Sequence, residues 1–281
     1  MELYENKELF QDLVRTVSRR LGISPELVEK DYYVTVILKR IKEEIPDIIF
    51  KGGTSLSKCY DIIDRFSEDI DLTLDKNSCT QSNKRKANKK IIKICDDLGF
   101  TIVNREEVEN HSHGNFNCYN IEYPMIFNTE ILKQYIKVEL VFFQKSYPDT
   151  PRKVNSFIGA FLKETQNLNE VTRYNLNDFD VRTQTLERTF IDKVFAVCDY
   201  YLSNNFERNS RHIYDLSKLV SSIKLQDKRL KSLIDEVRED RKNDKNCLSA
   251  QDGIDINNLL EEIIAKDFFK KDYNKDRKSV V

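Results

Sequence analysis

Two short runs, Phe50-Lys51-Gly52-Gly53-Thr54-Ser55-Leu56 and Asp69-Ile70-Asp71-Leu72-Thr73-Leu74, constrain this chain more than anything else in its sequence. The first reads as the end of a buried strand, Ile48-Ile49-Phe50, that breaks at a Gly-Gly turn into a helix. The second alternates strictly, and residues two apart on a strand share a face. Asp69 and Asp71 therefore point to one side, and Ile70, Leu72 and Leu74 to the other. Adjacent carboxylates repel and resist burial without a partner. A divalent cation is the natural partner, and hard oxygen ligands suit Mg²⁺, or Mn²⁺ in its place. The glycines let the backbone approach a phosphate, with N–H groups at the start of the next helix aimed at the anion. Either half alone has a plain explanation, because Gly-Gly often precedes a helix and Asp-x-Asp often marks a solvated strand end. The order of the two, with one helix between, points to a site.

The run KGGTSLSKCYDIIDRFSEDIDLTL resembles the AbiEii/AbiGii toxin family of nucleotidyltransferases, in the polymerase-β-like superfamily. That superfamily is marked by a Gly-Gly or Gly-Ser turn, a helix and Asp-x-Asp, and RFSEDIDL is specific to the toxin-like branch. The resemblance implies an α/β (α+β) fold: a nucleotidyltransferase domain with a mixed sheet, over residues 1–147, then an α-helical bundle over 148–281. It places Lys51, Gly52, Gly53, Thr54, Ser55, Arg65 and Ser67 at the nucleotide, and Asp69 and Asp71 at the metal. Ser67, two residues before Asp69, is where phosphorylation would add negative charge beside the metal pair.

In chain order, residues 3–20 and Pro25 to about Glu44 read as helices, the second capped by Ser24 with Pro at its first position. Within it, Glu29-Lys30-Asp31-Tyr32 resembles a recurrent family feature and is assigned no catalytic role. A helix from about Asn83 to Leu98 carries Lys84, Arg85, Lys86, Lys89, Lys90 and Lys93 on its outer face. That face is either a local patch for RNA phosphates or a solvated lysine face. Phe100–Val103 reads as a short strand, residues 104–115 as a loop, and Cys118–Tyr123 and Ile136–Phe143 as strong strands. Glu139 stands alone among apolar strand neighbours. By its order it matches the third carboxylate and metal ligand that the superfamily often supplies; an edge-strand acid paired with Lys137 is the other reading. Pro148-Asp149-Thr150-Pro151 reads as a turn cluster at the domain boundary, and Asn167–Asp180 as loop.

From Gln184 to Leu202 the spacing is helical, with Thr189 and Lys193 stacked four apart. Lys193 falls beside the apolar stripe, and a lysine held there loses its charge, snorkels to water or requires an anion. Thr189-x-x-x-Lys193 resembles the family's Thr-x-x-x-Lys motif, whose lysine contacts nucleotide phosphates. In the following helix, about Phe206 to Val220, Arg211-His212-x-Tyr214-Asp215-Leu216 resembles the family's closing motif. By that resemblance Lys193 and Asp215 bring the helical domain to the site, Asp215 orienting Lys193, with Arg208 and Arg211 reaching phosphates. The alternative is an i,i+4 ion pair of Arg211 with Asp215.

Composition narrows the function. A net charge of −1 excludes a globally basic nucleic-acid coat. The acidic start, scattered cysteines and absence of a long apolar run fit a reduced, cytoplasmic protein with no membrane partner. The expected activity is Mg²⁺-dependent transfer of a nucleotide from an NTP to RNA, a tRNA 3′ end by family resemblance. The chain would be the toxin of a toxin–antitoxin or abortive-infection system, with a cognate antitoxin as partner. The alternatives are transfer to a protein or small molecule, or a non-catalytic nucleotide- or RNA-binding module.

Overall fold

A computed structural model describes residues 1–74, 79–110, 114–127, 133–142, 146–205, 207 and 209–276. The chain opens with α1 (Lys7–Leu21) and α2 (Pro25–Glu44), then β1 (Ile48–Lys51), α3 (Gly52–Lys58) and β2 (Ile70–Leu74). There follow α4 (Gln81–Leu98), β3 (Thr101–Ile102), α5 (Arg105–Asn110), β4 (Phe116–Glu122) and β5 (Ile136–Val141). Next come β6 (Asp149–Val154), α6 (Phe157–Glu164), α7 (Leu168–Arg173) and β7 (Phe179–Gln184). The remainder is helical: α8 (Leu186–Leu202), α9 (Arg211–Ser222), α10 (Lys228–Lys242), α11 (Ile256–Ala265) and α12 (Lys270–Asp276). Helix ends follow local chemistry. Thr80 caps α4 by accepting the Asn83 N–H, and Gly99 closes it in the left-handed region at φ 70.

The described strands form one seven-stranded sheet in the order β3-β4-β5-β2-β1-β7-β6. β2 runs parallel to β5 and antiparallel to β1, and β7 runs parallel to β1, so the sheet is mixed, as expected. Alternation sorts its central faces. Ile70, Leu72, Val138, Leu140, Tyr119 and Ile121 are all fully buried, in one core with Tyr32, Tyr33 and Ile37 of α2 and Ile91 of α4. Asp71, Glu139 and Cys118 occupy the opposite phase of the same strands.

The chain divides into two compact units later than the expected boundary at 147/148. One comprises Met1–Tyr60, Phe66–Lys145 and Asp149–Thr183; the other comprises Asp61–Arg65, Ser146–Pro148 and the described residues of Gln184–Val281. The reason is that β6 and β7, both beyond residue 148, complete the sheet of the first unit. Pro151 does not prevent β6 from forming, because an edge strand tolerates a missing donor. Two more segments expected as loops are ordered: residues 105–110 form α5, and α7 lies within the Asn-rich stretch. α9 begins at Arg211 rather than near 206. In the second unit, α8 is buried on two sides. Ile191 and Phe195 pack with Leu230 and Val237, and Val197 and Cys198 with Ile263 and Phe269. No described helix is long and apolar enough to cross a membrane.

Leu140 is 0% exposed at the centre of β5. Leu140→Ala should destabilise the sheet unit by about 2–5 kcal/mol, read from urea denaturation. Val103→Ala, at a residue 56% exposed, should stay within about 0.5 kcal/mol. Equal effects would contradict the burial of Leu140 in the sheet core.

Candidate active site

The register of four strands places Lys51, Asp71, Glu139 and Cys118 in a single row across the sheet. Asp69 lies just ahead of β2. Its Oδ1 is buried and receives no hydrogen bond among the described residues; the Lys133 ammonium stands 3.9 Å away. Glu139 is ion-paired with Lys137 two residues earlier on β5. Burial alone would lower the Lys137 pKa, but the hydrogen bond to Glu139 and the charges of Glu139 and Asp69 raise it above its ordinary value. Glu139 therefore has the lysine partner of the second reading, on a strand that lies inside the sheet rather than at its edge, and it is in register with Asp71.

The Gly-Gly turn fits against this row. Gly52 has φ 78, which favours glycine, and a Cβ at that position would lie 1.9 Å from Asp71 Oδ2. Thr54 and Ser55 are fully buried. The Thr54 hydroxyl donates to the Asp69 carbonyl at 2.5 Å and lies 2.9 Å from Ser67 Oγ. Ser55 Oγ donates to the Gly52 carbonyl at 2.8 Å. The Thr54 hydroxyl thus ties the turn to the segment carrying Asp69, and the Ser55 hydroxyl closes the turn on itself.

Around the carboxylates lies a scaffold that motif reading passes over. Glu29, Lys30 and Asp31 of α2 are all buried. The Glu29 carboxylate accepts the N–H groups of Ile126 at 2.7 Å and Phe127 at 2.9 Å. Burial raises its pKa to about 7, against the opposing pull of those two donors. The Lys30 ammonium donates to the Lys133 carbonyl at 2.6 Å and pairs with Glu68 Oε2 at 2.5 Å. Asp31 holds the Lys58 ammonium at 2.5 Å and accepts the Phe157 N–H at 2.8 Å. The signal for this scaffold was three consecutive charges flanked by Val28, Tyr32 and Tyr33 in a helix with little polar face.

In the second unit Lys193 has its anion. Its ammonium is 2.7 Å from Asp215 Oδ2, and its side chain is only 8% exposed, so it does not snorkel. Asp215 is fully buried and also takes a two-pronged bond from Arg65, at 2.8 Å from Nε and 2.7 Å from Nη2. Burial alone would raise the Asp215 pKa; Arg65 and Lys193 together hold it below the ordinary carboxylate range. Arg65, rather than Arg211, is therefore the arginine partner of Asp215. His212 Nδ1 stands 3.5 Å from the Lys193 ammonium, and burial followed by the charges of Lys193 and Arg211 lowers its pKa well below the usual value.

The remaining expected contacts divide. Thr189 donates to the Thr185 carbonyl at 2.9 Å and accepts from Gln184 Nε2 at 3.1 Å, so its hydroxyl serves the start of α8. Arg211 is exposed at the first position of α9, and Arg208 lies outside the described residues. On α4, Lys84 turns inward to Asn115 Oδ1 at 2.6 Å and does not join the basic face. Lys90 bonds the Glu44 carbonyl, Lys93 pairs with Asp97 at 2.6 Å, and Lys86 and Lys89 are exposed.

Among the described residues, no three His, Cys, Asp or Glu side chains are gathered closely enough to hold a metal ion. The pair Asp69 and Asp71 nonetheless fits Mg²⁺ or Mn²⁺ chemically, because both are hard oxygen donors and Asp69 Oδ1 is buried with no donor on it.

The sequence profile described as "Nucleotidyl transferase AbiEii toxin, Type IV TA system" matches residues 36–281. Among solved structures the chain is similar to MenT4, a nucleotidyltransferase toxin from Mycobacterium tuberculosis H37Rv. The identity is 16% and the TM-score 0.51, over 83% of this chain and 72% of that one, a likeness of fold. A weaker likeness is to an antigenic nucleotidyltransferase-like protein from Paracoccidioides brasiliensis, with 15% identity and TM-score 0.40 over 81% of this chain and 94% of that one. Among curated proteins, none matches.

Two outcomes follow from this electrostatics. Asp215→Ala strands Arg65 and Lys193, both largely buried, and should destabilise the second unit by about 3–5 kcal/mol in chemical denaturation. Glu29 keeps its proton up to about pH 7 when folded, against an ordinary value of 4.5. Its stabilising share is complete below the unfolded pKa and is lost as pH rises through the folded one. Glu29→Gln should therefore flatten the fall in urea midpoint over that window, and an unchanged slope would contradict the assignment.

Proposed function

This chain belongs to the AbiEii nucleotidyl transferase toxin family of type IV toxin–antitoxin systems, and from that membership we propose that it transfers a nucleotide from an NTP to RNA in a Mg²⁺-dependent reaction. The observation that supports the metal dependence is Asp69 Oδ1, buried and without a hydrogen-bond donor among the described residues, its nearest cation the Lys133 ammonium at 3.9 Å, beside a turn where Gly52 leaves room for the Asp71 carboxylate. Asp69 and Asp71 would hold the ion. When bound, Mg²⁺ offsets charge on the triphosphate and makes the acceptor hydroxyl a better nucleophile.

This chain's residues do the rest by placement and charge. Gly52 and Gly53 bring main-chain N–H groups to the phosphates, the side chains of Thr54 and Ser55 being turned inward. Lys51 stands in register with Asp71 and adds positive charge on the same row. The acceptor hydroxyl attacks the α-phosphorus and pyrophosphate leaves. By the resemblance of its motif, Lys193, ion-paired with Asp215, would neutralise the charge that develops on the pyrophosphate. Arg65, fixed on the same aspartate, is the second preorganised cation. Glu139, in register with Asp71 and paired to Lys137 through Oε1, would be the third carboxylate. The exposed Lys86 and Lys89 of α4 supply a small basic surface for RNA phosphates. The tRNA 3′ end is the family's acceptor by resemblance, and a cognate antitoxin is the expected protein partner.

The test is label transfer from each α-³²P NTP to RNA, protein and small-molecule acceptors in separate reactions, with and without Mg²⁺. Labelled RNA requiring Mg²⁺ is the expected result. Asp71→Ala should reduce transfer about 100-fold or more at unchanged melting temperature, and should relieve growth arrest when expressed in a host. Label on protein alone would replace the RNA reading, and Asp71→Ala transferring at the wild-type rate would remove the mechanism.

A further inference from the structure

The triplet Glu29-Lys30-Asp31 has no part in the chemistry above, yet its side chains reach four segments around the carboxylates. Lys30 is the most unusual of the three. It is 0% exposed, and burial lowers its pKa, against the raising effect of Glu68 and Asp69. Removing one partner of such a buried pair leaves the other charge uncompensated, which holds the two segments together. Its partners are the side chain of Glu68, the residue immediately before Asp69, and the main-chain carbonyl of Lys133. The ammonium of that same Lys133 is the cation 3.9 Å from Asp69 Oδ1. One nitrogen on α2 therefore anchors the segment that carries the metal-binding aspartate and the segment that carries its cationic neighbour.

The flanking residues reinforce the arrangement. Glu29 grips the N–H groups of Ile126 and Phe127, and the Tyr33 hydroxyl donates to the Pro124 carbonyl at 3.0 Å, so α2 also holds the start of the β4–β5 connection. Asp31 holds Lys58, the last residue of the helix that follows the Gly-Gly turn. We propose that Lys30 is a positioning residue for the nucleotidyl-transfer site, setting where the Asp69 carboxylate stands through its joint hold on Glu68 and Lys133. This inference rests on the carboxylate reading of the site given above.

The experiment compares wild type, Lys30→Met, and the pair Lys30→Met with Glu68→Gln, by hydrogen exchange and by Mn²⁺ binding in electron paramagnetic resonance. Lys30→Met alone leaves a stranded carboxylate at Glu68 and should lower the melting temperature. The pair removes that charge and should recover the melting temperature, so it carries the test even if the single variant fails to fold. In the pair, main-chain exchange at residues 66–70 should quicken about tenfold or more while α9 is unchanged. Its Mn²⁺ affinity should stay about tenfold or more below wild type. Wild-type exchange at 66–70, or a return of full Mn²⁺ affinity with the melting temperature, overturns the positioning role and reduces Lys30 to a structural pair. A wild-type protein that binds no Mn²⁺ overturns the carboxylate reading instead, and the exchange result still decides whether Lys30 holds the segment.

Discussion

The space between position 52 and the Asp71 carboxylate can hold one side chain. Asp71 Oδ2 already occupies the place where a Cβ on residue 52 would go, and the backbone there is left-handed. Glycine is therefore required twice over, by conformation and by volume. That single exclusion joins the end of β1, the start of α3 and the acidic face of β2 into one feature. The buried hydroxyl of Thr54, bonded to the Asp69 carbonyl, adds a second link between the turn and the aspartates.

Both units bring charge inside and hold it with specific partners. In the sheet unit Lys30, Glu68, Asp31 and Lys58 form buried pairs near Asp69. In the helical unit Asp215 sits between Arg65 and Lys193. Such pairs rarely stabilise a fold more than apolar packing of the same volume would. Their value is placement: an ammonium or guanidinium fixed in advance on a buried carboxylate loses little freedom when an anionic substrate arrives. This is the economy expected of phosphoryl transfer, where catalysis is mostly positioning and electrostatics.

How much of this was legible depends on whether the information was local. The alternation of residues 69–74 and the Gly-Gly break gave the β1–α3–β2 core of the site directly. The demand of Lys193 for an anion was readable from its place beside an apolar stripe, and Asp215 meets it. Hydrogen-bond partners were not readable: Ser55 and Thr189 bond carbonyls three and four residues back, and Thr54 bonds the Asp69 carbonyl 15 residues on. The edge strand β6 was hidden by Pro148 and Pro151, and the division between units moved with it. Glu29, Lys30 and Asp31 stood out as a family feature, but what they hold was not readable, because their partners lie between 27 and 126 residues away along the chain. The carboxylate partner of Arg65, Asp215, was not readable because it is 150 residues distant.

Membership of the AbiEii family makes nucleotide transfer the frame. The central proposal is that the two aspartates, with the Gly52-Gly53 turn packed against Asp71, form the metal and triphosphate site. The most direct measurement is a crystal structure with Mg²⁺ and a non-hydrolysable NTP. The account predicts an ion bonded to carboxylate oxygens of both Asp69 and Asp71, with the triphosphate lying along the Gly52-Gly53 turn. A triphosphate bound elsewhere on the chain, with Asp69 and Asp71 free of metal, would contradict it.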